Sequence, residues 1–504
     1  MVFSSFIFIF GFLPTTLLGF WLLSRLGHHW AKLWLCLASI IFYGWWELRW
    51  IPVLLISIGF NYLVGQAIIA RAQQERSSGV LLALGVTVNL AAIVYYKYLL
   101  AVLLFFDAGG LIPASDALPI GISFFTFTQI AFLVDSSQGL RGKYTPTNYF
   151  LFVTFFPHLI AGPIVHHREL MPQFEEDRNY HFQPYEMAIG LTIFTIGLAK
   201  KTIIADNVSG IAERMFDGST GFTTAWVGAL AYSMQLYFDF SGYSDMAIGL
   251  ARMFGIKFPV NFNSPYKAVS IIDFWQRWHI TLTRFLTTYV YNPVALALVR
   301  RRARRGLSTS KRASQSVLGF LELIALPTWI TMILAGIWHG AGLQFIVYGA
   351  LHGIYITANH AWRTFGPKNL ADATGLTRIV RTFLYGLLVY LCVLVAQIVF
   401  RASSLDRSAT ILSEMIGFST TGITPPVYSI DLLLVAASMA VAWLAPNTQQ
   451  LMANFDPAID PHPQPKKPSI RIRFTLGWAV AMGCVLFLGL FNIQNGQPFI
   501  YFQF

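Results

Sequence analysis

Residues 317–362 read VLGFLELIALPTWITMILAGIWHGAGLQFIVYGALHGIYITANHAW. The two apolar runs in it, 317–338 and 343–362, each come close to the 20 or so residues that cross a hydrocarbon core about 30 Å thick. Between them stands Trp338-His339-Gly340-Ala341-Gly342, and His352 follows inside the second run. Backbone polar groups in lipid have to be satisfied within helices or closed barrels. Runs of this length without period-two alternation argue against a β-barrel. The stretch therefore predicts two membrane helices joined by a polar, glycine-rich turn.

Working outward, similar runs lie near 6–23, 31–46, 51–69, 79–104, 147–164, 186–205, 223–250, 379–400, 429–444 and 474–491. The 504 residues are 55% hydrophobic and 12% charged, against roughly 25% charged in soluble domains, and mean hydropathy is +0.57. The expectation is an all-α integral membrane protein: a polytopic bundle of about 11–13 transmembrane helices plus re-entrant or interfacial helices. One transmembrane domain is expected over 1–504, with no internal repeat of the kind many transporters carry. Segments 117–135 and 269–290 are apolar but interrupted by Pro119, Gly121, Asp135, Asp273, Arg277 and His279. They read as re-entrant or interfacial, which requires protein or water to cover the backbone.

Cys36, Cys392 and Cys484 lie inside apolar runs, where a thiol behaves as a small hydrophobe, so no disulfide framework is expected. The first run lacks an Ala-x-Ala cleavage signature and reads as a retained span. The net charge of +12 is spread among loops, which fits lipid headgroups and a phosphate-bearing donor better than nucleic acid. Residues 1–5 carry no basic side chain, whereas Arg25 and Lys32 flank the first turn, so the N-terminus is expected outside. The Arg71/Arg76 loop, the run Arg300, Arg301, Arg302, Arg304, Arg305, Lys311, Arg312, and the loop bearing Lys466, Lys467, Arg471 and Arg473 then fall in the cytoplasm.

An ionisable group inside a span costs at least about 2.5 kcal/mol on insertion scales and so points to a pathway or a site. Three clusters qualify. In Tyr237-Phe238-Asp239-Phe240-Ser241-Gly242-Tyr243-Ser244-Asp245 the two carboxylates fall on different faces of a continuous helix, so Ser241-Gly242 is a candidate local break. Asp273-Phe274-Trp275-Gln276-Arg277-Trp278-His279 alternates aromatic and charged groups, as suits an interface or the rim of an aqueous cavity. The third is Trp338-His339-Gly340. Neutral imidazole takes a proton from a hydroxyl near pH 7, and acyl transfer from a thioester to an alcohol needs such a base. On residues alone, the competing reading of His339 is a buried histidine bonded to a neighbouring helix. No metal site is expected, because His28/His29 and His166/His167 are adjacent pairs and no i, i+4 histidine pair with a carboxylate occurs.

Phe42-Tyr43 with Trp45-Trp46, Pro119-Ile120-Gly121-Ile122-Ser123-Phe124, Phe156-Pro157-His158 with Gly162-Pro163, the 235–245 cluster, Phe274-Trp275-Gln276-Arg277-Trp278-His279 and Gly336-Ile337-Trp338-His339-Gly340 follow one another along the chain. That order resembles bacterial membrane-bound O-acyltransferases, specifically the alginate O-acetyltransferase branch, which also includes cellulose and peptidoglycan acetylation proteins. The likeness covers a family core over 1–400. It leaves 401–504 as C-terminal helices and an extracytoplasmic tail, and resumes at 496–504, GQPFIYFQF. Two departures stand out: Thr287-Thr288 precede Tyr289 where that branch has an Arg-Asp pair, and 292–311 lacks its glycine-rich loop. Alginate itself is therefore not implied as acceptor.

The resemblance implies that His339 is the catalytic base and His352 a supporting second histidine. Asp239, Ser241, Tyr243 and Asp245 would shape a cavity wall together with Trp278 and Trp338. Arg277 and His279 would either bind donor phosphates or cap an interfacial helix. Tyr501 is an aromatic-belt anchor or, alternatively, an acyl relay that takes the group as an ester and passes it on. The implied donor is cytosolic acetyl-CoA, with no permanently bound cofactor, and the implied acceptor an exported polysaccharide. The implied partner is a periplasmic SGNH-type acetyltransferase, and the location a bacterial inner membrane. Competing readings are a lipid or protein acyltransferase of the same fold and, from another class, a polysaccharide exporter or flippase.

Overall fold

The computed structural model describes residues 1–99, 103, 119–139, 144–217, 221–310, 312–367, 375–418, 426–459, 472–493 and 499–500. Among them the regular structure is helical apart from one parallel bridge between Pro259 and Ile459. Six helices among the described residues are long and apolar enough to cross a bilayer: Ile7–Ser24, Leu48–Gln73, Gly79–Tyr98, Pro184–Asp217, Val317–His339 and Gly375–Arg401. Ile122–Ser137, Ser429–Leu444 and Leu476–Phe491 are shorter apolar helices. The expected runs 31–46, 223–250 and 343–362 are the helices His28–Gly44, Phe222–Met253 and Leu343–Phe365.

Three local expectations are corrected. The run 147–164 is not one span: helix Pro146–Thr154 ends before Phe156-Pro157, and 155–165 is non-helical yet buried throughout. Pro157 and Pro163 cannot continue a helix, and protein, not lipid, covers the backbone they release. Of the segment 117–135, expected to be irregular, residues from 122 onward lie in a regular helix, Ile122–Ser137, most of it buried. The irregularity is confined to Gly121, whose φ of +75° and tight approach to Leu159 O exclude a side chain. Finally, Phe222–Met253 runs through Ser241-Gly242 without a break.

The chain forms two compact units: Met1–Ile203, Asp239–Val260 and Thr448–Gln503 make one, Ile204–Phe238 and Asn261–Asn447 the other. In the first, Leu48–Gln73 and Gly79–Tyr98 lean on Ile122–Ser137. The buried amides Asn61, Asn89 and Gln129 tie them together; Asn89 Nδ2 donates to Asn61 Oδ1 at 2.6 Å. Phe8, Phe12, Phe42 and Phe156 pack as one aromatic hub.

Glycines set a close helix crossing in this unit. A Cβ on Gly197 would sit 2.6 Å from Gly242 O and one on Gly190 2.6 Å from Gly249 O, and the reverse substitutions collide equally. Small residues that let backbones touch are the usual device where no hydrophobic gain drives helices together. The second unit centres on the hairpin of Leu326–His339 and Leu343–Phe365, with Gly375–Arg401 packed on its second arm. Gly336 against Phe345 O and Gly349 against Met332 O leave no room for side chains at the crossing.

Candidate active site

His339 is the final residue of the Leu326–His339 helix and is buried. Its ring meets Phe400 edge-on at 4.9 Å and Tyr348 at 5.8 Å, with Trp338 beside it at 4.7 Å. His352 lies one helix on, 1% exposed. Its Nδ1 accepts a hydrogen bond from Trp275 Nε1 at 3.3 Å, so a neutral His352 carries its proton on Nε2. Tyr348 also meets His352, at 4.7 Å and 73°. One tyrosine, four residues before His352, thus contacts both histidines, within a buried cluster that includes Phe345, Ala396 and Phe400.

The short helix Ile271–Trp275 supplies the flank. Phe274 lies parallel to His352 at 6.4 Å and 6°, and Trp278 stacks on Phe274 at 5.7 Å and 15°. Arg277 and His279 are committed to the loop instead. Arg277 Nε pairs with Asp273 Oδ1 at 2.7 Å and its Nη1 donates to Asn263 O at 3.3 Å. His279 is buried with φ +43°, and its Nδ1 lies 3.0 Å from Asn261 Oδ1. Asn263 N donates to Arg277 O and Ile280 N to Asn261 O, each at 2.9 Å. These contacts fasten segment 261–263 to the turn at 277–281.

Asp239, Ser241, Tyr243 and Asp245 belong to the other unit, where the two carboxylates have found the two consecutive lysines of a neighbouring helix. Lys201 Nζ is 2.8 Å from Asp239 Oδ1, and Lys200 Nζ is 2.5 Å from Asp245 Oδ2, which also accepts from Thr448 Oγ1 at 2.6 Å. A charge buried at this depth is tolerable when paired in this way. The different faces expected for Asp239 and Asp245 are thus used, each for its own cation. Tyr243 stacks between Phe3 at 4.7 Å and Phe499 at 4.4 Å. Ser241 Oγ is buried and finds no partner among the described residues. Tyr501 lies outside the described residues.

The structure also joins Asp135, His166 and His167. His166 Nε2 and His167 Nε2 lie 2.7 and 2.8 Å from Asp135 Oδ2. Asp135 is too far away in sequence for a short-spacing search to find. Metal-bound imidazoles donate their second N–H to an acceptor, but His166 Nδ1 accepts from Arg168 N and His167 Nδ1 is buried without a partner among the described residues. The group therefore fits a doubly hydrogen-bonded carboxylate better than a cation cradle. Burial, with His166 adding to it, pushes the His167 imidazole down to about 3, although Asp135 opposes the shift.

Sequence reasoning missed Lys200, Lys201 and Tyr348. A lysine pair inside an apolar run was a readable signal; Tyr348 at i−4 from His352 was a weaker one.

The geometry can be set beside known proteins. Residues 41–310 match the model of MBOAT, the membrane-bound O-acyltransferase family. The chain is similar to a peptidoglycan O-acetyltransferase of Helicobacter pylori, 39% identical over 83% of this chain and 80% of that protein. It is similar end to end to a probable alginate O-acetylase (AlgI) of Pseudomonas putida, 33% identical over 100% of both. A teichoic acid D-alanyltransferase of Bacillus subtilis is 29% identical over 49% of this chain and 60% of its own length. With its helical membrane build and a buried histidine pair on one hairpin, the chain belongs to the membrane-bound O-acyltransferase family and is a multi-pass O-acyltransferase.

Proposed function

We propose that this enzyme moves an acetyl group from cytosolic acetyl-CoA towards hydroxyls of an exported polysaccharide, with His339 as general base, in a bacterial inner membrane. The observation that carries the assignment is the convergence of the buried His339 and His352 on Tyr348 on one hairpin. The names of the relatives, which act on peptidoglycan and alginate, support the acceptor class. His339 takes the proton of the attacking hydroxyl while the new C–O bond forms. The C–S bond then breaks, and coenzyme A leaves as the thiol once that proton is returned. Trp275 holds His352 in one tautomer, which makes His352 a positioning residue.

A periplasmic SGNH-type acetyltransferase completes delivery, and Tyr501 carries the acyl group to it as a phenyl ester. The test uses the full-length enzyme in vesicles with labelled acetyl-CoA on one side. Coenzyme A release and polysaccharide acetylation are measured for the parent, His339→Gln and Tyr501→Phe. Undiminished coenzyme A release by His339→Gln overturns the base assignment, and full polysaccharide acetylation by Tyr501→Phe overturns the relay.

A further inference from the structure

We infer that the buried Asp239 carboxylate is the docking point for this chain's own C-terminal tail, and so a positioning residue for transfer; its functional half rests on the relay proposed above. The tail does not merely follow the last helix. Ile500 N donates to Asp239 Oδ2 at 2.7 Å, and Phe499 and Ile500 are each 2% exposed. Phe499 stacks on Tyr243 at 4.4 Å and 23° and meets Phe240 at 5.7 Å and 62°. Residues 240 and 243 follow Asp239 on one helix, so a single turn provides both an acceptor for the tail's backbone and an aromatic slot for its side chain.

Lys201 explains why the acceptor is a carboxylate. Its ammonium occupies Oδ1 at 2.8 Å and leaves Oδ2, buried and negatively charged, for one more donor. A buried carboxylate oxygen without a donor is costly, so the tail amide and the ion pair support each other. Because the recognised group is a main-chain N–H, docking fixes the backbone at 500. A side chain meant to carry an acyl group between two sites needs that fixed starting point.

The test separates docking from relay. In the full-length protein with Cys36, Cys392 and Cys484 replaced by alanine, Ile500→Cys reports burial of the tail by maleimide labelling, referenced to the same protein unfolded in SDS. Docking predicts slow labelling that rises about tenfold or more when Lys201→Met/Asp239→Leu removes acceptor and cation together, the scale of a charge-assisted hydrogen bond. Equal labelling in both proteins overturns the inference. Should the double variant not fold, Ile500→Pro deletes the N–H and leaves the ion pair intact. Because each acetyl passes through Tyr501, coenzyme A release and polysaccharide acetylation should fall together by about tenfold, while Ile500→Val, which keeps the N–H, should retain both. No loss of either in Ile500→Pro, or an equal loss in Ile500→Val, also overturns it. If Tyr501→Phe acetylates fully while the cysteine at 500 stays protected, the relay fails and docking stands. If Tyr501→Phe is inactive while that cysteine labels freely, docking fails and the relay stands.

Discussion

Replacing His339 by glutamine keeps a polar side chain of similar length at the end of the hairpin's first helix but removes its proton acceptor. A positioned general base contributes about 10²–10⁴-fold, so the turnover of His339→Gln should fall by that factor with little change in the apparent KM for the thioester. His352 acts through its indole partner, which makes a different prediction. His352→Gln and Trp275→Phe should each cost about tenfold, and the double variant little more than either, since both remove one hydrogen bond. A multiplicative double effect would deny the coupling. The histidines were legible in the sequence because an imidazole beside glycines is out of place in an apolar run. Their meeting point at Tyr348 was not, since tyrosine in such a run is ordinary until the hairpin folds.

Helix crossings carry the next level of argument. At Gly197 an added methyl would press on the Gly242 carbonyl of the facing helix, whereas at Gly59 nothing stands within 4 Å. Gly197→Ala should therefore lose about 1–3 kcal/mol by overpacking. Gly59→Ala should gain about 0.5–1 kcal/mol from helix propensity. Thermal unfolding in detergent gives the two signs.

The turn at His166-His167 makes a pH prediction. The His167 imidazole sits at about 3 in the folded chain and near the ordinary value of about 6.5 when unfolded. Between those values the unfolded chain binds a proton that the folded one does not, so stability is lost as pH falls below about 6.5. The Tm of His167→Gln should fall less steeply from pH 7 to 5 than that of the parent. The existence of helices was readable from apolar run length. The true end of 146–154 and the regularity of 122–137 were not, because proline in 157–163 ends a helix while the neighbouring protein decides whether the released backbone can stay buried.

Across the molecule, the charge pattern predicts topology more firmly than it predicts binding. Arg302 is paired with Glu322 and largely buried, while Arg300, Arg301 and Arg304 on the same helix, Asn292–Arg304, are exposed. If those exposed bases hold the loop in the cytoplasm, a periplasm-dependent phosphatase fused at Gly306 should be inactive and one fused ahead of Met1 active. The opposite pattern would reverse the direction assigned to the donor. Membrane class and family were written in composition and motif order. Which polar clusters would share a unit was not, since Lys200-Lys201 and Asp239/Asp245 become partners when two helices come within backbone contact.

That double pairing has an evolutionary corollary. Adjacent ammonium groups gripping carboxylates six positions apart act like a two-pin plug: they fix both rotation and axial offset of one rod against the other. Adding or deleting one residue between 239 and 245 swings the far pin by about 100° and leaves a cation stranded. In a randomised library selected for activity, changes of length should be purged from this stretch while many changes of identity survive.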